Sequence, residues 1–479
     1  MYLIDAIIVL WGAFDLSIIK SFQSQLIDYL RLACYLNNIS NAIVNLTFMA
    51  GIMTQIAAQF ALYSFSTHMS TVQNMTETKH HIWLDQGIWS KCSNPEVHTV
   101  ARNIVDRIAA VDYASKGMTS TRAGNYLFNA VLIVIAFFVD ILGGNVEKMT
   151  AVPSIPLSNG QKLPLLGLGT WLASDEKLLN AAVRAALDAG YRYIDTAELY
   201  KNEHVIGAVV KEYIDAGKFK REDIYITTKL PLYGHHNAAH YIEESLKKLQ
   251  TDYIDLYLIH TPIPLEINDE KTGIKFVNGE PIPLTSIPLI ETWKVLEKYY
   301  NEGKLKAIGV SNFNEEQLQD LYDKATVKPH NIQVECHILF PQKPLFALCK
   351  KLGVTLTAYA PIGSPGRGEA QKGAGFVEGD PMSHPLVKRL AEKYGKTPAQ
   401  ILIRQLIQRG ISTIPKSTNP DRVRENFNVL DFELTADELA EFDKIPGDKR
   451  LFLFDFGKAH PWHPFKADLK KVLGYEQPA

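Results

Sequence analysis

Short apolar runs alternate with longer amphipathic stretches from about residue 150 to the end of the chain. The short runs are rich in Val, Ile, Tyr and Thr, and they predict eight strands, at 165–171, 191–196, 224–229, 254–260, 306–312, 331–335, 354–360 and 411–417. Between them, apolar residues recur at helical spacing, most clearly at 176–190, 238–250, 290–303 and 397–410. Thr397, Pro398 and Gly410 supply start and stop signals for the last of these helices.

Eight strands that alternate with helices in roughly 330 residues predict an α/β chain folded as a (β/α)8 TIM barrel. Before the barrel, Asn159 and Gly160 stand between two short apolar runs, which predicts an N-terminal β-hairpin. A doubly wound sheet is the alternative architecture. No G-x-G-x-x-G follows any predicted strand, so the barrel is favoured.

Residues 1–148 differ in character from the rest of the chain, and we place a domain boundary there, with the barrel at 149–479. No charged residue occurs between Leu32 and Thr67, and segments 42–66 and 125–142 are candidate membrane segments. We expect this apolar extension to be mostly helical, and its fold is unknown. Two interpretations remain open: a membrane-anchoring extension, or an upstream exon joined by a faulty gene model.

Composition argues against several classes of partner. The formal net charge is −2, which provides no field for a nucleic acid or an acidic partner. The four cysteines show neither a C-x-x-C pair nor zinc-ligand spacing, so we expect free thiols, no disulfide and no metal. A small molecule is therefore the expected partner.

The predicted strands end in polar residues. In (β/α)8 barrels the chemistry lies at the C-terminal ends of the strands. Taken singly, such residues are usually helix caps, solvated lysines or core histidines, but convergence of so many on one face indicates a site. The set consists of Asp195, Lys229, His260, Ser311, Asn312, Gln333, Tyr359, Lys416 and Ser417.

Four residues of this face suit carbonyl reduction. The developing alkoxide needs a proton, and an unperturbed tyrosine, with a pKa of about 10, is a poor donor at neutral pH. A lysine ammonium beside the phenol lowers that pKa, and an aspartate orients the lysine. A neutral histidine can hold the carbonyl oxygen. Tyr200, Lys229, Asp195 and His260 supply these groups.

The segments that carry these residues resemble the aldo-keto reductase family. "GYRYIDTAELYKNEHVIG" (190–207) follows the family's first signature, and "IPKSTNPDRVREN" (414–426) resembles its cofactor signature. "LYLIHTP" and "AIGVSNF" match its histidine strand and fifth strand, and the tail "HPWHPF" is similar to the C-terminal loop of aldose and aldehyde reductases. The resemblance runs from about Pro153 to the end.

The resemblance implies a role for each residue. Tyr200 would be the proton donor, Lys229 and Asp195 its tuning pair, and His260 the substrate-orienting group; a histidine here implies carbonyl rather than double-bond reduction. Trp171 and Thr261 would join Tyr200 and His260 in the substrate pocket. The implied NADPH contacts are Thr170, Trp171, Ser311, Asn312, Gln333, Tyr359, Ser364, Lys416, Ser417, Arg422, Glu425 and Asn426, with Ser311, Asn312 and Gln333 on the carboxamide, Tyr359 on the ring and the last two on the adenine.

The preference for NADPH over NADH has a physical argument of its own. Asn419 and Pro420 are the expected N-cap and first residue of a helix whose N-terminus points at an anion. Lys416 and Arg422 flank it, and a guanidinium binds a phosphate with two hydrogen bonds. These residues suit the 2′-phosphate of NADPH.

The chain also departs from the family pattern. Leu172 and Gly366 stand where aldose reductases usually carry a Lys–Asp pair that closes over the cofactor, and Ala360 replaces a serine near the pyrophosphate. Thr261 and Pro231 stand where two pocket tryptophans are expected. We therefore expect a cofactor loop without its latch, a wider or more polar pocket, and a specificity set partly by the long loop at 262–288.

The sequence thus predicts a monomeric, cytosolic, NADPH-dependent reductase of aldehydes or small ketones. Two other classes remain open: a non-catalytic NADPH-binding regulatory barrel, and a membrane-tethered protein whose N-terminal segment carries the main role.

Overall fold

The computed structural model describes residues 152–370 and 377–476. The candidate membrane segments at 42–66 and 125–142 lie outside these ranges, so the interpretation of residues 1–148 and the boundary near Met149 stay predictions. Within the described part of the chain, no helix combines the length and the apolar character needed to cross a membrane.

The N-terminal hairpin predicted from Asn159 and Gly160 is confirmed. β1 (Ser154–Pro156) pairs antiparallel with β2 (Lys162–Pro164). Gly160 has φ 85°, a left-handed conformation that glycine adopts without strain. The Asn159 amide donates to the carbonyl of Lys306, just before a barrel strand begins, at 2.9 Å. The hairpin therefore covers the N-terminal end of the barrel, opposite the predicted site.

Eight parallel strands form the barrel. In spatial order they are β3 (Leu168–Gly169), β4 (Tyr193–Asp195), β5 (Tyr225–Leu230), β6 (Leu256–Ile259), β9 (Ile308–Ser311), β10 (Asn331–Glu335), β11 (Thr355–Tyr359) and β12 (Ser412–Thr413). Parallel bridges from Leu166 to Thr413 and from Gly169 to Lys416 join the two edge strands. The sheet closes on itself, and the (β/α)8 barrel is confirmed at all eight predicted positions.

Helices surround the sheet. They are α1 (Glu176–Ala189), α2 (Glu203–Asp215), α3 (Ala238–Leu249), α4 (Leu289–Asn301), α5 (Glu315–Lys324), α6 (Lys343–Leu352), α7 (Arg367–Ala370), α8 (Pro385–Tyr394), α9 (Pro398–Gln408), α10 (Pro420–Phe427), α11 (Ala436–Phe442) and α12 (Lys466–Leu473). The long loop at 262–288 contains a small antiparallel pair, β7 (Phe276–Val277) and β8 (Glu280–Pro281).

Local sequence explains where α9 begins. The Thr397 hydroxyl accepts a hydrogen bond from the Gln400 amide, and the Gln400 side chain accepts one from the Thr397 amide at 2.9 Å. Such a capping box satisfies two donors that the first turn leaves open, and a cap stabilises a helix by about 1 kcal/mol. The predicted start at Thr397 and Pro398 is confirmed.

Close packing between two helices explains why the first signature segment has a glycine at position 207. A Cβ at this position of α2 would lie 2.5 Å from the carbonyl oxygen of Lys248, near the end of α3. A side chain at residue 207 would push the two helices apart. The close approach keeps α2 and the turn before it, which carries Tyr200, against the barrel.

Candidate active site

A buried ion pair lies at the C-terminal ends of β4 and β5. The Lys229 Nζ atom donates to Asp195 Oδ1 at 2.7 Å and to the carbonyl of Thr196 at 2.7 Å. The Lys229 side chain has no exposed surface, and that of Asp195 is 3% exposed. Each buried charge is thus paired with an opposite charge and hydrogen-bonded to it, as buried charges require.

Two further residues fix Asp195. Gln333, from β10 across the barrel, donates its amide to Asp195 Oδ2 at 2.6 Å. The Thr170 hydroxyl, just after β3, donates to the carbonyl oxygen of Asp195 at 2.9 Å. Gln333 was predicted to hold a nicotinamide carboxamide; here its amide nitrogen bonds to the carboxylate, and the cofactor contact stays a prediction.

Tyr200 and His260 lie beside the ion pair. Tyr200 ends a 3-10 turn (Glu198–Tyr200) that follows β4, and the Lys229 Nζ atom is 5.1 Å from the centroid of its ring. The His260 ring meets the Tyr200 ring edge-on, with centroids 5.7 Å apart. Among the described residues, the Tyr200 hydroxyl has no hydrogen-bond partner, and neither has the buried Nδ1 atom of His260. Both side chains thus retain polar groups for a ligand.

Burial dominates the electrostatics of the ion pair. It raises the pKa of Asp195 and lowers the pKa of Lys229, while the attraction between the two groups opposes both shifts. The pKa of His260 lies well below its ordinary value because of burial and the nearby charge of Lys229. His260 is therefore neutral at physiological pH.

The expectation that the pKa of Tyr200 is lowered in this site is wrong for this structure. The pKa of Tyr200 lies well above its ordinary value, first because of burial and then because of the carboxylate of Asp195 and the phenol of Tyr359. The physical reason is that burial of the phenol and the nearby Asp195 carboxylate outweigh the attraction of the Lys229 ammonium, which also donates to Asp195 and to the Thr196 carbonyl. Tyr200 carries its proton at neutral pH.

Three predicted cofactor residues at the ends of β9 and β11 bond to one another. The Asn312 amide donates to the carbonyl of His260 at 2.9 Å and to the Ser311 hydroxyl at 3.1 Å. The Tyr359 hydroxyl donates to Asn312 Oδ1 at 2.8 Å. Asn312 has φ 61°, a conformation that asparagine tolerates better than most residues. The structure thus brings these three residues together beside His260.

Aromatic rings form one wall of this region. The ring of Phe452 meets Trp171 edge-on at a centroid distance of 5.7 Å and Tyr359 at 5.6 Å. Thr261, predicted for the substrate pocket, is buried, and its hydroxyl accepts a hydrogen bond from the Ile263 amide at 3.3 Å. Phe452 was not predicted, because nothing in its local sequence shows that the C-terminal segment returns to this face.

The region around the N-terminus of α10 differs from the prediction in one respect. Asn419 caps the helix as expected, but its side chain accepts from the amides of both Asp421 and Arg422, at 2.9 and 3.0 Å. With Pro420 lacking an N–H, the first-turn amides are not available to an anion. Of the expected contribution of the helix N-terminus to anion binding, only the helix dipole therefore remains.

Two cations nevertheless remain available beside α10. Arg422 is exposed and Lys416 is half-buried, and neither side chain is bonded to another residue in the ranges 152–370 and 377–476. Burial lowers the pKa of Lys416. The bridge between Gly169 and Lys416 places this lysine at the seam where the barrel closes, next to Thr170.

The remaining predicted cofactor residues lie in two separate places. Ser417, Glu425 and Asn426 lie on or beside α10, where the Ser417 hydroxyl accepts from the Asn419 amide and Glu425 accepts from the Thr397 hydroxyl at 2.8 Å. Ser364 lies after β11, with φ 49°. Within residues 152–370 and 377–476, neither the α10 residues nor Ser364 contacts Asp195, so they lie apart from the predicted cofactor residues around Asp195.

The loop that carries Ser364 is held by a residue that the sequence did not single out. Arg367 is buried and donates to the carbonyls of Gly363, Ser364, Val377 and Gly379. The sequence feature that could have indicated this role is a single arginine within a glycine-rich stretch. Its guanidinium joins both sides of the loop, which the predicted loss of the Lys–Asp latch did not anticipate.

Comparison with known proteins agrees with this arrangement. The model of the Aldo/keto reductase family matches residues 165–446. Aldo-keto reductase family 1 member A1 from Gallus gallus is 42% identical over 323 residues, which cover 65% of this chain and 97% of that protein. The Mus musculus protein of the same name is 41% identical over 330 residues, covering 66% and 99%. The solved aldose reductase from Schistosoma japonicum is 37% identical, has a TM-score of 0.59, and covers 66% of this chain and 99% of its own.

Proposed function

Because the chain belongs to the aldo/keto reductase family and is thus an oxidoreductase, we propose that it reduces the carbonyl group of aldehydes and ketones with NADPH. One observation carries the proposal: a half-buried tyrosine and a neutral histidine flank the buried Lys229–Asp195 pair, and in the described part of the chain the Tyr200 hydroxyl and the His260 Nδ1 atom have no hydrogen-bond partner. A proton donor, a group that orients a carbonyl and a fixed positive charge are what this reduction requires.

The residues present fit NADPH. Lys416 and Arg422 are two cations with no counter-charge among the residues that the structure describes, which suits the 2′-phosphate that distinguishes NADPH from NADH. The side chains of Ser311 and Asn312, beside the His260 carbonyl, and that of Gln333, beside Asp195, offer hydroxyl and amide groups for a carboxamide. When bound, NADPH supplies the hydride that the carbonyl carbon accepts.

Tyr200 supplies the proton. Its raised pKa keeps the phenol protonated until a stronger base, the developing alkoxide, forms beside it. As the O–H bond of Tyr200 breaks, the proton passes to the carbonyl oxygen and the electron pair stays on the phenolate. The Lys229 ammonium, 5.1 Å from the ring centroid, stabilises that negative charge.

His260 orients the substrate. Burial keeps its imidazole neutral, so one ring nitrogen carries a hydrogen and can donate to the carbonyl oxygen. The bond from the Asn312 amide to the His260 carbonyl fixes the backbone at this position. A protonated histidine would compete with Tyr200 as an acid, and its lowered pKa prevents this.

The proposal is tested by measuring NADPH consumption by the full-length chain with a panel of aldehydes and ketones. We expect turnover with aldehydes and a much weaker reaction when NADH replaces NADPH. A rate at the no-substrate background, together with saturable NADPH binding by fluorescence, would identify the non-catalytic binding barrel instead.

A further inference from the structure

The 3-10 turn that carries Tyr200 begins with a buried carboxylate. Glu198 is the first residue of this turn (Glu198–Tyr200), and 5% of its side chain is exposed. Its Oε1 atom accepts a hydrogen bond from Lys201 Nζ at 2.6 Å, and its Oε2 atom accepts one from the Tyr233 hydroxyl at 2.8 Å. Lys201 Nζ also donates to the Tyr233 hydroxyl at 2.8 Å. These three side chains form a closed triangle of hydrogen bonds, the Glu198 tether.

Tyr233 belongs to the loop that follows β5, the strand that carries Lys229. It is 2% exposed, and its ring packs edge-on against Tyr241 of α3 at a centroid distance of 5.7 Å. A tight turn holds this loop in shape, because the Gly234 amide donates to the Pro231 carbonyl at 2.8 Å. The carboxylate is therefore bonded to a fixed point in the loop beyond Lys229.

Lys201 closes the turn in a conformation that needs support. Its φ is 56°, in the left-handed region, which is unfavourable for any residue with a Cβ atom. Its amide donates to the Glu198 carbonyl at 3.0 Å and its ammonium to the Glu198 carboxylate, so backbone and side chain both keep the turn closed. Lys248 of α3 adds a second positive charge, with its Nζ atom 3.6 Å from Glu198 Oε1. The turn is thus held at its first residue and at the residue that follows it.

The Glu198 tether joins the two elements whose separation matters for proton transfer. The turn carries Tyr200, the neighbouring loop follows Lys229, and the Lys229 Nζ atom lies 5.1 Å from the centroid of the Tyr200 ring. We infer that Glu198 is a positioning residue: by bonding Tyr233 and Lys201, it fixes the turn of the proton donor against the β5 loop and so sets the distance between that donor and the charge that stabilises its phenolate. The catalytic consequence rests on the proposed function, whereas the tether itself does not.

The distance matters because the attraction between a phenolate and an ammonium falls as they separate, and burial strengthens that attraction by excluding water. Burial is the largest cause of the raised pKa of Tyr200, followed by the carboxylate of Asp195 and the phenol of Tyr359. The charge of Glu198 is balanced by two lysines, so Glu198 acts on the proton donor by holding its turn and not by its field.

The tether is tested without turnover, by hydrogen–deuterium exchange on peptides that contain the amides of Tyr200 and Lys201 in the full-length chain. Tyr233→Phe removes one hydroxyl and keeps the ring. We expect exchange in these peptides to rise about tenfold or more, since a hydrogen bond to a charged group is lost. Tyr213→Phe is the matched control, because its hydroxyl donates to a different carboxylate, that of Asp188, at 2.9 Å. Unchanged exchange in Tyr233→Phe, or an equal rise in the control, would overturn the tether.

A second variant tests the carboxylate itself. Glu198→Gln keeps the volume of the side chain but removes one of its two acceptor oxygens and the charge that the lysines face. We expect the same peptides to exchange about tenfold faster or more. Glu222→Gln is its control, because Glu222 is an exposed glutamate within another 3-10 turn (Arg221–Asp223). Wild-type exchange in Glu198→Gln would overturn the assignment of Glu198 as the positioning residue.

The effect on catalysis is measured with an aldehyde and NADPH. In Tyr233→Phe we expect kcat to fall about tenfold, while KM for the aldehyde and Kd for NADPH stay within about twofold of wild type. The solvent deuterium isotope effect on kcat should rise, because proton transfer from a misplaced phenol becomes slower relative to the other steps. A loss of folded protein would lower kcat without changing that isotope effect.

Tyr213→Phe should change none of these kinetic quantities. A wild-type kcat and isotope effect in Tyr233→Phe would overturn the catalytic part of the inference. A wild-type chain without any turnover would count against the proposed function alone, since the exchange measurements judge the tether independently.

Discussion

Lys229 and Asp195 form a salt bridge of 2.7 Å in which both side chains are buried. Burying two charges is costly, and a pair of apolar residues of similar size would stabilise the barrel at least as well. Stability alone therefore does not account for the pair. Its position beside Tyr200 and His260 fits the proposed function, in which it supplies a fixed positive charge at the phenol.

Lys229→Met should impair both stability and activity. The substitution leaves Asp195 buried without its counter-charge, so the free energy of unfolding should fall by about 3 kcal/mol in denaturant titrations. The rate of carbonyl reduction should fall about 100-fold or more, because the phenolate loses its stabilising charge. Lys211→Met, which removes an exposed lysine paired with Asp215, should change neither quantity measurably. An active Lys229→Met variant would refute the role of the ion pair.

Arg422→Ala should weaken the binding of NADPH and leave the binding of NADH unchanged. Loss of a charge-assisted contact to the 2′-phosphate should raise KM for NADPH by about 10- to 100-fold. Steady-state kinetics with both cofactors at two salt concentrations measure the effect. Arg424→Ala is the control, because that arginine lies on the same helix but is paired with Asp421 at 2.9 Å. A similar loss with both cofactors would show that Arg422 does not recognise the phosphate.

Leu172 and Gly366 should make the release of NADP⁺ fast. Leu172 is 42% exposed, and a Cβ at Gly366 would meet nothing within 4 Å, so a Lys–Asp pair can be introduced without steric conflict. In stopped-flow fluorescence, the double variant Leu172→Lys, Gly366→Asp should release NADP⁺ more slowly than the wild type. Each single variant, which cannot form the pair, should release it at the wild-type rate. Slow release by the wild type itself would contradict the prediction, and the Arg367 contacts with the loop would be the reason.

Much of the barrel and of its site could be predicted because periodicity and fold geometry determine them. Each strand end in a (β/α)8 barrel faces the same side, so Asp195, Lys229 and His260 could be placed together from strand positions alone. The capping of α9 by Thr397 is local and follows from residue type. In both cases the relevant contacts either lie within a few residues or follow from strand order.

Other contacts could not be predicted, because they depend on side-chain directions between distant segments. The bond from Gln333 to Asp195 crosses the barrel, and the bonds from Glu335 to residues 451–452 join a strand to the C-terminal segment. The pKa of Tyr200 was predicted in the wrong direction, because burial outweighs a lysine whose charge is already paired. The spacing of residues in the sequence shows neither how deeply a side chain is buried nor which of several acceptors a hydrogen-bond donor will bind.

His463 should make the fold sensitive to acid. Its Nδ1 atom accepts from the Phe465 amide at 3.1 Å and its Nε2 atom lies 3.2 Å from the Phe454 carbonyl, an arrangement that requires the neutral ring. Burial, with Arg450 and Lys466 nearby, lowers the pKa of His463 from 6.5 to about 4. Between these pH values the unfolded chain binds the additional proton, so the free energy of unfolding falls as the pH decreases from about 6.5 to about 4, by about 3 kcal/mol at most from this residue.

Denaturant titrations across this pH range measure the effect. His463→Gln should reduce the slope of unfolding free energy against pH, whereas His240→Gln, at an exposed histidine, should leave it unchanged. The buried His235 and His460, whose pKa values are lowered to about 3 and about 4, should account for part of the slope that remains. An unchanged slope in His463→Gln would contradict the assignment of a neutral ring.

Tyr200→Phe tests the central claim most directly, because it removes one hydroxyl and keeps the ring beside Lys229 and His260. We expect NADPH-dependent reduction of an aldehyde to fall about 1,000-fold, as the loss of a general acid implies, while the Kd for NADPH stays within about twofold of wild type. A variant that binds NADPH normally and keeps more than about one tenth of the wild-type kcat would contradict the assignment of Tyr200 as the proton donor.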